Sequence, residues 1–190
     1  MDWRSRPFES PSRAEIGGHV DRVEPAVLAR PNREARSEAN RYAAIRVTNR
    51  YPAPPRRAFD AWLDPGVAGR WLFATATRPI AHVEIDARVG GSFRFVDRRG
   101  RETVAYTGQY LEIVPERHLV FTLSMDPHPK VFTRVTVAIA SQAKGCALKL
   151  IHENVPRERA SYMEGRWTGI LYGLGVTLDS ISAPFHHEQE

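Results

Sequence analysis

Two hydrophobic periods in sequence constrain the fold most. After Pro79 the apolar residues recur at every second position, and after Pro156 they recur with a helical period as far as about Ile181. Period two marks strands that bury one face, and a period near 3.6 marks a helix with one apolar stripe. Val83 and Ile85, Phe93 and Phe95, then Leu119, Phe121 and Leu123 alternate with polar or smaller neighbours. Val131, Val135, Val137 and Ile139 do the same, as do Leu148 and Leu150. Turn residues separate these runs at Gly90-Gly91, Asp97 to Gly100, Pro115-Glu116, Asp126 to Pro129 and Lys144-Gly145. Six strands are predicted here.

The run Thr103 to Val114 changes parity, because Val104, Tyr106 and Tyr110 fall on one side while Leu111 and Ile113 fall on the other. A β-bulge near Gly108 to Tyr110 reconciles them, and bulges bend sheets. A seventh strand precedes the others, with Ile45 and Val47 facing one way and Arg46 and Thr48 the other, and it ends at Pro52. Between it and the sheet, Phe59, Trp62 and Leu63 have i, i+3, i+4 spacing behind Pro54-Pro55. That pattern predicts a short helix. Asp64 followed by Pro65 reads as the N-cap and first residue of a second one, closed by Trp71 and Leu72.

The last helix has the clearest stripe: Met163, Trp167, Ile170, Leu171, Leu174, Leu178 and Ile181 lie within about 60° of one direction. Its partner is the apolar face of the sheet. The expected fold is α+β: one strongly curved antiparallel sheet of about seven strands around a long C-terminal helix, with two short helices after the first strand. Opposite the stripe lie Gly165, Gly169 and Gly173, flanked by Tyr162, Tyr172 and Val176, and between Trp167 and Ile181 the only charge is Asp179. So weakly charged a face is compatible with a cover, either a second copy of the chain as a homodimer or the N-terminal extension, and also with a weakly polar surface left bare.

Residues 1–40 hold four prolines, seven Arg and seven acids, without a sustained period, and read as a flexible N-terminal extension with at most a short helix within Val23 to Ala39. The folded domain is expected over 41–183, and residues 184–190 as a loose tail. The net charge of +5 lies wholly after residue 40, where the Arg residues are spread singly except for Arg98, Arg99 and Arg101 at a hairpin tip. A nucleic-acid-binding stripe needs clustering on one face, so no nucleic-acid partner is expected. Cys146 is the sole cysteine, which excludes an internal disulfide and a cysteine-based metal site. No apolar run approaches the ~20 residues of a membrane span, and no signal-peptide core stands at the N-terminus; the expected location is the cytoplasm.

A helix packed into a concave sheet leaves a space lined by the inward-facing residues. The expected ligand-binding residues are Phe93, Phe95, Tyr106, Tyr110, Phe121, Val137 and Leu150 from the sheet. Trp71 is expected at the mouth, and Trp167, Leu171 and Leu174 come from the helix. Each of them is also a side chain that a filled core would bury. His152 shares the parity of Leu148 and Leu150, so it faces inward at the end of the last strand. It is read either as a group that orients a ligand or acts as a general base, or as a neutral, hydrogen-bonded core histidine. His82 and Glu84 share the solvent parity and lack further ligands, so neither a metal nor a cofactor is expected. No phosphate-binding loop and no nucleophile elbow is present in the sequence.

The order of elements resembles the START-related superfamily, which includes the birch-pollen allergen and polyketide cyclase folds and is known for its helix-grip architecture. YPAPPRRAFDAWLDPGVAGRW, VGGSFRF, YTGQYLEIVPERHLVFT and EGRWTGILYGL are similar to successive signatures of the homologues of the activator of heat-shock-protein-90 ATPase. The match runs from about Tyr42 to Ile181. The family commonly has Gly directly before the helix tryptophan, where this chain has Arg166. The resemblance implies a cavity with a hydrophobic small molecule as partner, in a carrier, sensor or sequestering role. A cyclase- or hydrolase-like enzyme using His152 and a tyrosine is the alternative, as is a co-chaperone-type interaction module. The eukaryotic co-chaperone engages its partner with help from an additional N-terminal domain, which forty low-pattern residues do not supply.

Overall fold

A computed structural model describes residues 41–74, 80–99, 101–125 and 132–182. The extension at 1–40, the turn at 126–129, Gly100 and the tail at 184–190 lie outside the described residues. Strands β1 (Tyr42–Tyr51), β2 (His82–Ile85), β3 (Ser92–Arg99), β4 (Glu102–Val114), β5 (His118–Met125), β6 (Thr133–Gln142) and β7 (Gly145–Pro156) form a seven-stranded sheet. Its order is β1-β7-β6-β5-β4-β3-β2, and each neighbouring pair is antiparallel. Helices α1 (Pro55–Leu63) and α2 (Pro65–Trp71) follow β1, and a 3₁₀ turn (Arg157–Arg159) leads into the long α3 (Ala160–Ser182). This is the helix-grip arrangement.

Local chemistry accounts for the joints. Asp64 accepts from the backbone N–H groups of Gly66 and Val67 at 2.8 and 3.1 Å, which caps α2 as its sequence predicts. Gly90, at φ 81°, turns the chain into β3. Gly108 is required by close approach: a Cβ there would stand 1.9 Å from the Thr122 carbonyl oxygen and 2.4 Å from Cζ of Phe93.

Two bulges bend the sheet. In β4 the register shifts between Tyr110 and Glu112, so the extra residue is Leu111, one position beyond the predicted interval. Leu111 consequently turns outward while Tyr110 stays buried. The second bulge is absent from the sequence reading. Ala43 pairs with Val155 and Ile45 with His152, leaving Glu153 and Asn154 as the widened step in β7. Asn154 takes the left-handed conformation, φ 60°. Strict alternation would aim Asn154 inward; the bulge turns it out and points both His152 and Val155 into the interior.

Helix α3 lies against this concave face with Trp167, Ile170, Leu171, Leu174 and Leu178 buried. Its predicted stripe stops short of its end, because Ile181 is 42% exposed. The buried Tyr51 hydroxyl donates to the Leu171 carbonyl at 2.8 Å, tying β1 to the middle of α3. On the far side Tyr162, Tyr172 and Val176 are exposed, and Gly165 and Gly169 face open space. Gly173 belongs elsewhere: a Cβ on it would meet Trp71 at 3.6 Å, so that glycine sits over α2.

Candidate functional site

The interior between sheet and helix has two unlike ends. Toward α1 and α2 it is solid. Phe93 meets Phe95, Tyr110 and Phe121 at ring-centroid separations of 5.5 to 5.9 Å. Trp62 stands edge-on to Trp71 at 4.7 Å and contacts Phe121 at 6.1 Å. These separations are those of mutually packed aromatic rings, with no space for a ligand between them. Burial pushes the Tyr110 phenol well above its ordinary pKa, as expected for a hydroxyl deep in this cluster.

The other end holds a cavity of about 280 Å³. Its walls come from the ends of β5 (Leu123, Ser124, Met125) and β7 (His152, Val155, Pro156) and from Thr133 and Tyr106 in the sheet. Glu158 and Arg159 of the 3₁₀ turn, the first turns of α3 (Met163, Arg166, Trp167, Ile170) and Phe73 after α2 complete it. Phe73 has φ 62°, a conformation that bulky residues rarely adopt. Its ring is nevertheless well held, stacked on Tyr106 at 4.3 Å and 8° and in edge contact with Phe95 at 5.4 Å.

A chain of hydrogen bonds runs along the cavity floor. The Trp167 indole N–H donates to Nδ1 of His152 at 2.9 Å. With that nitrogen accepting, the neutral ring carries its proton on Nε2, which lies 2.7 Å from Thr133 Oγ1. The Thr133 hydroxyl donates onward to the Leu123 carbonyl at 2.9 Å, leaving its oxygen lone pair for His152. His152 is 2% exposed, and desolvation pushes its pKa from 6.5 down to about 4. Both ring nitrogens are therefore engaged within the protein near neutral pH. The arrangement holds Trp167 in place and offers no basic nitrogen to a substrate.

At the mouth, Arg166 donates to the Tyr106 hydroxyl, and its guanidinium carbon is 5.2 Å from the centroid of the Tyr106 ring. A second, longer contact of 3.5 Å reaches the exposed Tyr162 hydroxyl.

The model of the Activator of Hsp90 ATPase homolog 1-like protein family matches residues 52–179. The chain belongs to this family. A Chromobacterium violaceum protein of known crystal structure is 27% identical, with a TM-score of 0.59, over 72% of this chain and 96% of that one. A Rhizobium loti protein is 25% identical, TM-score 0.61, over 72% and 97%. The solution structure of an AHSA1-like protein from Aeromonas hydrophila shares the fold at 19% identity, TM-score 0.64, over 78% and 100%. No curated protein matches the chain.

Within this Activator of Hsp90 ATPase homolog 1-like domain, the structure divides the expected ligand-binding residues. Tyr106, His152 and Trp167 border the cavity. Phe93, Phe95, Tyr110 and Phe121 sit in the aromatic cluster, while Val137 and Leu150 pair across β6 and β7 beneath α3. Leu171 and Leu174 are wholly buried against the sheet, outside the cavity wall. Trp71, expected at the mouth, is buried and donates its indole N–H to the Ala61 carbonyl at 3.2 Å. Parity identifies which side chains face inward, and these do; it does not say which face a void. Phe73, Thr133, Val155 and Arg166 border the cavity without being among the expected ligand-binding residues. Only Arg166 carried a signal in the sequence, as an arginine directly before Trp167 where the family commonly has Gly. His82 and Glu84 pair with each other at 2.8 Å on the solvent side, and this contact holds the Glu84 carboxyl below its ordinary pKa. No helix among the described residues is long and apolar enough to cross a membrane.

Proposed function

We propose that the protein binds a small hydrophobic or aromatic molecule in the cavity between β5, β7 and the first turns of α3, as a carrier, sensor or sequestering protein. The observation that carries this reading is the cavity itself: about 280 Å³ with Phe73, Leu123, Met163, Trp167 and Ile170 on its walls, most of its wall surface apolar and the rest supplied by Tyr106, Ser124, Thr133, His152, Glu158, Arg159 and Arg166. A largely apolar wall surface with polar groups placed along it is the usual build of a small-molecule site. Binding is favoured over cyclase or hydrolase chemistry because His152, the best candidate base, has both nitrogens occupied and a depressed pKa. A protein-interaction role is the second reading, favoured by the exposed Tyr162, Tyr172 and Val176 on α3.

The test is native mass spectrometry of the protein purified from its own host, beside a Met163→Trp variant that fills the cavity from the helix. A small molecule retained by the native chain and lost from the folded variant is the expected outcome. Equal retention by both would overturn the assignment of this cavity.

A further inference from the structure

The cavity wall carries more than apolar surface: Arg166, Arg159 and Glu158 are its charged members. Among the described residues no carboxylate forms an ion pair with Arg166 or Arg159, and Glu158 pairs with neither. Arg166 is only partly exposed. It spends its donors on two neutral phenols, those of Tyr106 and Tyr162. A guanidinium has five N–H donors in a planar fork and stays protonated, so these neutral contacts leave donors available at a partly desolvated cation. Apolar wall surface lies beside it, from Phe73 stacked on Tyr106 and from Met163 and Trp167 of the same helix.

We infer that the ligand is an organic acid: an apolar or aromatic body of modest size bearing one anionic group, which Arg166 reads at the mouth. The inference rests on the preceding proposal that this cavity holds a ligand, and it adds the ligand's charge and the residue that selects it. An anion placed against the guanidinium would gain a charge-assisted, two-pronged contact that a neutral analogue of the same shape lacks. Arg159 adds to the positive potential of the mouth and Glu158 opposes it, so the two arginines outweigh the single acid. Arg166 is thus a specificity-determining residue, and the walls supply affinity common to acid and neutral forms.

The experiment uses matched pairs of probes, 2-naphthoate with 2-naphthamide and octanoate with octanamide, titrated calorimetrically into the full chain at low ionic strength. The variants are Arg166→Gln, Arg166→Lys and the cavity-filling Met163→Trp, each checked for an unchanged melting profile. Wild type should prefer each acid over its amide by roughly 10- to 100-fold, the range of a hydrogen bond to a charged group. Arg166→Gln should erase that preference while leaving amide affinity within about twofold, and Arg166→Lys should restore part of it. Equal affinity for acids and amides in wild type, or a preference that survives Arg166→Gln, overturns the anion assignment and leaves the binding site standing. Absence of binding by every probe, or binding indifferent to Met163→Trp, overturns the cavity reading and this one with it.

Discussion

Lowering the pH from 7.5 to 5 should destabilise this fold through one buried side chain. His152 titrates near 6.5 when unfolded and at about 4 in the folded protein. Because the folded value is the lower one, the unfolded chain takes up its proton first. The neutral ring's contribution is fully present above pH 6.5 and is lost as the pH falls toward 4. For those two values, linkage gives a loss of about 2 kcal/mol at pH 5 and about 3 kcal/mol once both states are protonated. The geometry explains why the folded ring resists: a proton on Nδ1 would face the Trp167 indole N–H at 2.9 Å, donor against donor. Urea unfolding between pH 4.5 and 7.5, for wild type and His152→Gln, isolates the term, since the surface groups titrating in that window are common to both. Wild type should show the steeper fall by about 2 kcal/mol at pH 5. Parallel pH profiles for the two proteins, or an NMR titration of the folded ring with a midpoint near 6.5, would refute the reasoning.

Two further substitutions probe the same architecture. Trp167→Phe removes the donor to His152 Nδ1 and leaves that buried nitrogen unpaired, which should cost roughly 1–3 kcal/mol in chemical denaturation. It should also raise the His152 pKa, because the donor that opposes a proton on Nδ1 is gone and the ring is less tightly enclosed. Gly108→Ala places a Cβ within 1.9 Å of the Thr122 carbonyl and against Phe93; it should destabilise by about 3 kcal/mol or more, seen as a large drop in melting temperature.

The site also explains the placement of two uncommon backbone conformations. Phe73 and Asn154, both at positive φ, lie far apart in sequence and border the same region: one contributes a cavity wall, the other is the bulge that sets His152 and Val155 side by side. Such conformations cost of order 1–3 kcal/mol each and persist where surrounding contacts hold them. For Phe73 those contacts are the stacked Tyr106, the edge-on Phe95 and the tilted ring of Trp167.

Element types and their order were legible from the chain alone, because each depends on local periodicity and local chemistry. Alternating residues mark the strands, Asp64 and Pro65 open α2, and the stripe from Met163 to Leu178 declares which side of α3 turns inward. The division of the interior was not legible. Phe93 and Tyr106 have the same inward orientation and similar size, yet Phe93 is locked among other rings while Tyr106 borders a void, because the sheet's curvature and the seating of α3 set the distances between facing walls. The bulge at Asn154, the turn that brings Phe73 onto Tyr106, and the reach of Arg166 across to the sheet are likewise products of the assembled fold. A sequence specifies which faces are apolar through short-range patterns; whether two such faces meet or leave room for a ligand depends on separations fixed only when the whole sheet closes around its helix.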